Sequence, residues 1–215
     1  MSDSPRFFNP FGEIQKHGAK LPHWEQTGAT YFITFRLGDS IPQSQLKAWK
    51  EERSHWISRH PEPWNESEEA EYHRRFSAGI DRLLDQGNGS CLLRSPAVAA
   101  CLSEVLTHSH NKLYFMHAFV IMPNHVHLLV SLADEASLAE KVKIWKGVSA
   151  NRINRIVRRE GDLWQKNYFD RIVRDHGHFV RVARYIRLNP KKAMLKPDEF
   201  LLWESAQVRA KLDVQ

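Results

Sequence analysis

Apolar and polar positions along this chain switch between a period of two and a period near 3.6, and the switches mark its elements. Thr30-Tyr-Phe-Ile-Thr-Phe-Arg-Leu37 is β-branched and aromatic and ends at Gly38-Asp-Ser40, which predicts a strand and a turn. Residues 43–58 have helical spacing, broken by His60-Pro-Glu-Pro-Trp-Asn65. A second helix sets Phe76, Ile80, Leu83 and Leu84 on one face and stops at Gln86-Gly-Asn-Gly-Ser90. Ser95-Pro96 predicts an N-cap with proline at the first helical position, ahead of a stripe of Val98, Leu102, Val105 and Leu106. Over 113–132 two β-rich runs flank Met122-Pro-Asn124, the pattern of a hairpin and its turn. Ser137-Leu-Ala-Glu140 reads as a capping box for a helix that buries Leu138, Val142, Trp145, Ser149, Ile153 and Ile156 and ends at Gly161. A connecting segment leads to a last core helix over about 177–189, ended by Pro190. With no repeats and no clear linker, a single domain over 1–215 is expected, with a helical insertion at about 43–89 and a short C-terminal tail at about 196–215.

Composition narrows the class. With 42% hydrophobic and 26% charged residues, the chain is neither disordered nor collagen-like. Its two cysteines, Cys91 and Cys101, make no disulfide framework and no zinc-finger spacing, so a reducing compartment is expected, with both thiols as buried packing. The start, Met1-Ser-Asp-Ser-Pro-Arg-Phe-Phe8, lacks an apolar signal core, and no run approaches the ~18 apolar residues of a membrane helix. A cytoplasmic protein without a membrane partner is the expectation. The net charge of +6 is unevenly spread: Lys141 to Lys192 hold 15 basic residues against Glu160, Asp162, Asp170 and Asp175, a local +11. A single Lys or Arg is usually part of a solvated helix face, but this concentration favours a polyanion, and nucleic acid ahead of membrane.

Two groups of residues have chemistry to offer. His125-Val-His127 lies in the second arm of the hairpin, where a period of two sends both imidazoles to one face and Val126, Leu128 and Val130 to the other. That arrangement suits one shared metal ion, although a lone surface histidine is usually nothing of the kind and the chain has 12 of them. On the last helix, Tyr185 and Asn189 are four apart and share a face, with Phe179, Val182, Ala183 and Ile186 for packing. A phenol is a weak nucleophile at its free pKa of about 10, so it needs a polarised phosphate and nearby cations such as Arg181 and Arg184. Taken alone, Tyr185 also reads as a packing tyrosine and Asn189 as a helix C-terminal residue.

Four separated segments resemble one family. They are Leu21-Pro-His-Trp-Glu-Gln26 with Ala29-Thr-Tyr-Phe-Ile-Thr-Phe-Arg36, Ala118-Phe-Val-Ile-Met-Pro-Asn-His-Val-His-Leu-Leu-Val130, Trp164-Gln-Lys-Asn-Tyr-Phe-Asp170 continuing through Arg174, and Tyr185-Ile-Arg-Leu-Asn-Pro190. Together these resemble the single-strand DNA transposases of the His-hydrophobic-His type with one catalytic tyrosine, and within them the REP-associated tyrosine transposases. The resemblance runs from roughly Leu21 to Leu195. It implies an α/β (α+β) ferredoxin-like domain whose central antiparallel sheet carries helices on one face. It further implies His125 and His127 as metal ligands, Asn189 as the third ligand where related transposases use Gln, and Tyr185 as the nucleophile. Tyr168 is the competing tyrosine, assigned a packing or DNA-stacking role.

The implied activity is metal-dependent cleavage of single-stranded DNA beside REP-like hairpins, through a 5′-phosphotyrosine and a free 3′ hydroxyl. Mg²⁺ or Mn²⁺ is the expected cofactor, with no small-molecule cofactor. The DNA-binding candidates are Lys141, Lys146, Arg152, Arg155, Arg181 and Arg184. A monomer associated with the nucleoid is expected, with a dimer as the alternative. Two rivals stand: a non-catalytic REP-hairpin-binding regulator, and a histidine-type nucleotide phosphohydrolase, against which Leu129 stands where the third histidine would fall.

Overall fold

The computed structural model describes residues 4–17, 23–61 and 64–214; Leu21 and Pro22 of the amino-terminal motif, and Glu62 and Pro63 of the helix break, lie outside them. Two short strands, β1 (Gln15–His17) and β2 (His23–Glu25), pair with each other. They are followed by β3 (Thr30–Arg36), α1 (Gln43–Arg59), α2 (Glu66–Tyr72), α3 (Ala78–Asp85) and α4 (Pro96–Thr107). The hairpin β4 (Tyr114–Ile121) and β5 (His125–Leu132), α5 (Leu138–Val157), β6 (Phe169–Ile172) and α6 (His176–Lys192) come next, and β7 (Leu201–Glu204) and α7 (Ala206–Asp213) complete the order. The main sheet is antiparallel throughout, in the order β6-β3-β5-β4-β7.

Taken as β3-α4-β4-β5-α5-β6, the central part is the ferredoxin-like βαββαβ unit that was expected. Its two crossover helices lie on one face. Tyr31, Ile33 and Phe35 of β3, Val126, Leu128 and Val130 of β5, and the α4 and α5 stripes form one apolar core there. The other face is covered as well: Ala118, Val120 and Leu129 pack on Phe179, Val182, Ala183 and Ile186 of α6 and on Val208 of α7. Helices on both faces extend the expectation of one. All eight residues of β4 and of β5 are buried, and strands buried on both sides need cover on both. A bulge between Met116 and Ala118 turns His117 toward Phe179 of α6, at 4.9 Å between rings.

Local details depart from the sequence pattern. The capping box at Ser137 does not form; instead Glu25 of β2 caps α5, its Oε1 accepting from the Leu138 N–H at 2.8 Å and its Oε2 from the Ser137 hydroxyl at 3.3 Å. A carboxylate at a helix start satisfies orphan donors and complements the dipole better than a hydroxyl. Ile156 is 46% exposed, beyond the reach of the sheet, and α5 ends at Arg158 in the left-handed region (φ 52°), three residues before Gly161. Pro190 does not end α6, which runs on to Lys192; the proline falls in the last turn, where a single missing N–H is tolerated. Residues 196–214 are more than a tail, since β7 pairs along β4 and closes that edge of the sheet. Cys101 is buried and Cys91 half-buried.

The α1–α3 segment has its own small core, in which Trp49, Trp56, Tyr72 and Phe76 meet edge to face or tilted. Polar contacts tie α3 to the rest. The Asn124 amide donates from Nδ2 to the carbonyls of Leu84 and Asn88, both at 3.1 Å, and Lys192 pairs with Asp85 at 3.5 Å.

Candidate active site

The β5 period places His125 and His127 on the α6 side of the sheet, paired in register with Arg36 and Thr34 of β3. Both are fully buried. Their Nε2 atoms face each other at 3.1 Å. Asn124, whose Nδ2 is committed to two carbonyls, offers its Oδ1 to His125 Nδ1 at 2.7 Å, so that nitrogen carries the proton and His125 Nε2 is a bare lone pair. The hydroxyl of Thr34 lies 2.7 Å from His127 Nδ1. If Thr34 donates, the His127 proton sits on Nε2 and points at His125; if Thr34 accepts, two lone pairs face one another, the arrangement a cation resolves.

Burial depresses both rings, with the positive charge of Lys192 adding to it: His125 falls to about 3 and His127 well below the ordinary imidazole value. At neutral pH both are uncharged, as metal ligands must be. Phe32 stacks on His127 at 5.5 Å and meets the Tyr185 ring edge-on at 5.7 Å, wedging the two side chains into place.

α6 brings in the phenol. Asp175 caps its start, accepting from the His178 N–H at 2.7 Å, and its apolar stripe fixes the rotation that turns Tyr185 and Asn189 inward. The half-buried Tyr185 hydroxyl lies 3.3 Å from His127 Nε2 and donates to Asp81 Oδ2 of α3 at 3.0 Å. Burial, then the charge and hydrogen bond of Asp81, hold the phenol well above its ordinary range. Burial likewise raises Asp81, to about 6, against the opposing hydrogen bond of Tyr185 and the charge of Lys192. One turn on, the buried Asn189 amide has neither atom in a hydrogen bond of normal geometry, although it lies close enough to the Tyr185 hydroxyl to favour its ionised form slightly.

The residues present fit a divalent ion. Two neutral imidazole nitrogens 3.1 Å apart stand at the separation of adjacent ligands around one ion with bonds of about 2.1 Å. The buried amide of Asn189 has an oxygen without a hydrogen-bond partner, which a bound ion would satisfy. Among the described residues no three His, Cys, Asp or Glu side chains gather in one place.

The six cations read as DNA-binding candidates divide across the sheet. Lys141, Lys146, Arg152 and Arg155 are on α5, on the side away from the histidines, whereas Arg181 and Arg184 are exposed residues of α6, the helix on the histidines' side of the sheet. Lys146 is engaged, donating to the carbonyls of Gln165 and Lys166 at 2.7 Å each, and burial lowers it to about 8. Arg152 pairs with Glu104. Arg155 joins Asn151, Asn154, Arg158 and Arg159 around an open depression. Tyr168 packs into the core on the α4–α5 face, across the sheet from the histidines.

Sequence reasoning missed Thr34, Phe32, Asn124 and Asp81. Asp81 had a faint signal: Asp81 and Asp85 are like charges four apart on a helix, which destabilise it unless partners lie elsewhere.

The candidate site thus joins a buried histidine pair, a tyrosine on the facing helix α6 and a buried amide one turn further on. Residues 94–189, which hold His125, His127, Tyr185 and Asn189, match the family described as Transposase IS200 like. A Haemophilus influenzae protein described as uncharacterized is 30% identical over 112 residues, 42% of this chain, which spans 56% of that relative's length. A solved structure of a REP-associated tyrosine transposase bound to a REP hairpin shares 14% identity and a TM-score of 0.45, over 81% of this chain and 74% of that one.

Proposed function

We propose that this protein is a metal-dependent single-strand DNA transesterase of the REP-associated tyrosine transposase type, cutting beside REP-like hairpins with Tyr185 as the nucleophile. The observation that carries this reading is the Tyr185 hydroxyl standing 3.3 Å from one of two imidazoles that face each other at 3.1 Å. The hairpin as substrate follows from the sequence resemblance.

His125, His127 and Asn189 would hold Mg²⁺ or Mn²⁺, with water and phosphate completing the shell of either hard ion. When bound, the ion polarises a non-bridging phosphate oxygen and stabilises the charge that develops in the transition state. The chain's own residues do the rest. Phe32 and the α6 packing hold the phenol in line beside the histidine pair, and Arg181 and Arg184 flank it on α6. Attack forms the Tyr185 Oη–phosphorus bond and releases the 3′ oxygen, so the energy of the phosphodiester is kept for a later joining step.

The test is a denaturation-resistant adduct between the protein and an oligonucleotide bearing a REP-like hairpin, formed with Mn²⁺ present. Tyr185→Phe is expected to abolish it while hairpin affinity changes by no more than about threefold, since the ring and its packing remain. Tyr168→Phe is expected to keep it. The reverse pattern overturns the nucleophile assignment, and tight hairpin binding by a parent protein that never forms adduct hands the reading to a non-catalytic regulator.

A further inference from the structure

One partner of the tyrosine comes from outside the segment that matches the family. Asp81, on α3, accepts the Tyr185 hydroxyl at 3.0 Å, and the helix that carries it is docked by Asn124 at its end and by the Lys192–Asp85 pair one turn away. Its carboxylate is therefore fixed at the phenol by the frame of the protein. We infer that Asp81 is the catalytic base of the tyrosine: it takes the phenolic proton as the oxygen bonds to phosphorus and returns it when the phosphotyrosine is resolved. The inference rests on Tyr185 being the nucleophile.

The chemistry requires such a group. A free phenol loses its proton only near pH 10, so at neutral pH the proton leaves during attack and needs an acceptor within hydrogen-bond reach. As the oxygen–phosphorus bond forms, that oxygen loses basicity, and the proton crosses a hydrogen bond already aligned with Asp81 Oδ2. The phosphorus–O3′ bond breaks, the leaving 3′ oxygen takes a proton from water, and the products are a tyrosyl phosphodiester and a 3′ hydroxyl. In the reverse direction an incoming 3′ hydroxyl gives its proton to water and attacks phosphorus. The departing tyrosine oxygen then takes the proton held by Asp81. His127 also lies near the hydroxyl, but its Nε2 lone pair is committed once it ligates an ion.

The groups facing Asp81 come from three elements. Tyr185 and Lys192 on α6 and Arg171 on β6 favour its ionised form, while burial and Asp85 on its own helix oppose it. The balance leaves it near 6, ionised at neutral pH yet basic enough to accept a proton.

The test measures single-turnover adduct formation by the parent, Asp81→Asn and Asp81→Glu, each with either tyrosine or 3,5-difluorotyrosine at position 185. Asp81→Asn keeps the shape and loses the base, so adduct formation is expected to slow by about 100-fold or more, with hairpin affinity unchanged and folding checked by circular dichroism. The fluorinated phenol, which ionises more readily, is expected to restore at least about tenfold in Asp81→Asn and little in the parent, and Asp81→Glu to retain intermediate activity. A residue that only positions its helix gives no such rescue. Adduct formation by Asp81→Asn as fast as the parent's, or faster, overturns the inference, as does a loss that fluorination leaves intact.

A second measurement needs no DNA. The rate at which a small aryl sulfonyl fluoride esterifies the Tyr185 oxygen, read by mass spectrometry, is expected to fall at least about tenfold in Asp81→Asn. Equal rates overturn the inference. Should the parent form no adduct with any hairpin strand, the transesterase reading falls on its own, and this labelling comparison still decides what Asp81 does.

Discussion

Each of the two histidines of the candidate site has a partner at its far nitrogen, and this sets what substitution is expected to do. Asn124 commits the His125 proton to Nδ1, and Thr34 leaves His127 able to exchange tautomers. His127→Ala is therefore expected to eliminate adduct formation at every practical Mn²⁺ concentration. Asn189→Ala is expected to be milder and partly restored by more Mn²⁺, because water can replace a neutral amide; adduct yield against metal concentration distinguishes them. Asp81 yields a stability prediction. Its folded-state pKa, about 6, lies above the unfolded 3.8, so its contribution favours folding below about pH 4 and is lost as pH rises through 6. Asp81→Asn is expected to melt with the parent near pH 4 and several degrees above it at pH 7.5, an effect on the order of 2 kcal/mol. His125, His127, Tyr185 and Asn189 were legible in the sequence because each pair is set by one local period. Thr34, Phe32 and Asp81 were not, because strand register and helix docking bring them in from 93, 95 and 104 residues away.

At the level of elements, periodicity located most of the strands and helices, while their ends were decided by partners distant in the chain. α5 illustrates the difference. Ser137-Leu-Ala-Glu140 has the letters of a capping box, yet Glu25 reaches the helix start from β2 and displaces it. Glu25→Ala is expected to cost about 1 kcal/mol in urea unfolding, and Glu25→Gln much less, since an amide oxygen still accepts from the Leu138 N–H. β7 escaped notice for another reason: four half-buried residues on an edge carry too little alternation to stand out. The end of α6 was misread because proline is a strong breaker in mid-helix and a weak one in the last turn.

Across the whole molecule, the sheet divides the positive charge into an α5 group around Arg155, Arg158 and Arg159 and an α6 group with Arg181 and Arg184. Hairpin affinity is expected to fall steeply with salt, and replacing either group by alanine to flatten that slope by about one phosphate for each contact removed. Only loss of the α6 pair is expected to slow adduct formation at saturating DNA, because only that pair shares a face with the tyrosine. Net charge made a polyanion legible; the division by the sheet was not, since it depends on which helix covers which side. The turn residue Asn124 has a consequence of its own. Its amide grips the end of α3 with one group and orients the His125 ring with the other, so the place of a single proton is tied to whether some forty residues upstream have docked. The ¹⁵N resonance of one imidazole nitrogen is thus a gauge of assembly: His125 Nδ1 reads as protonated while the helices are seated, and averages between tautomers once they let go.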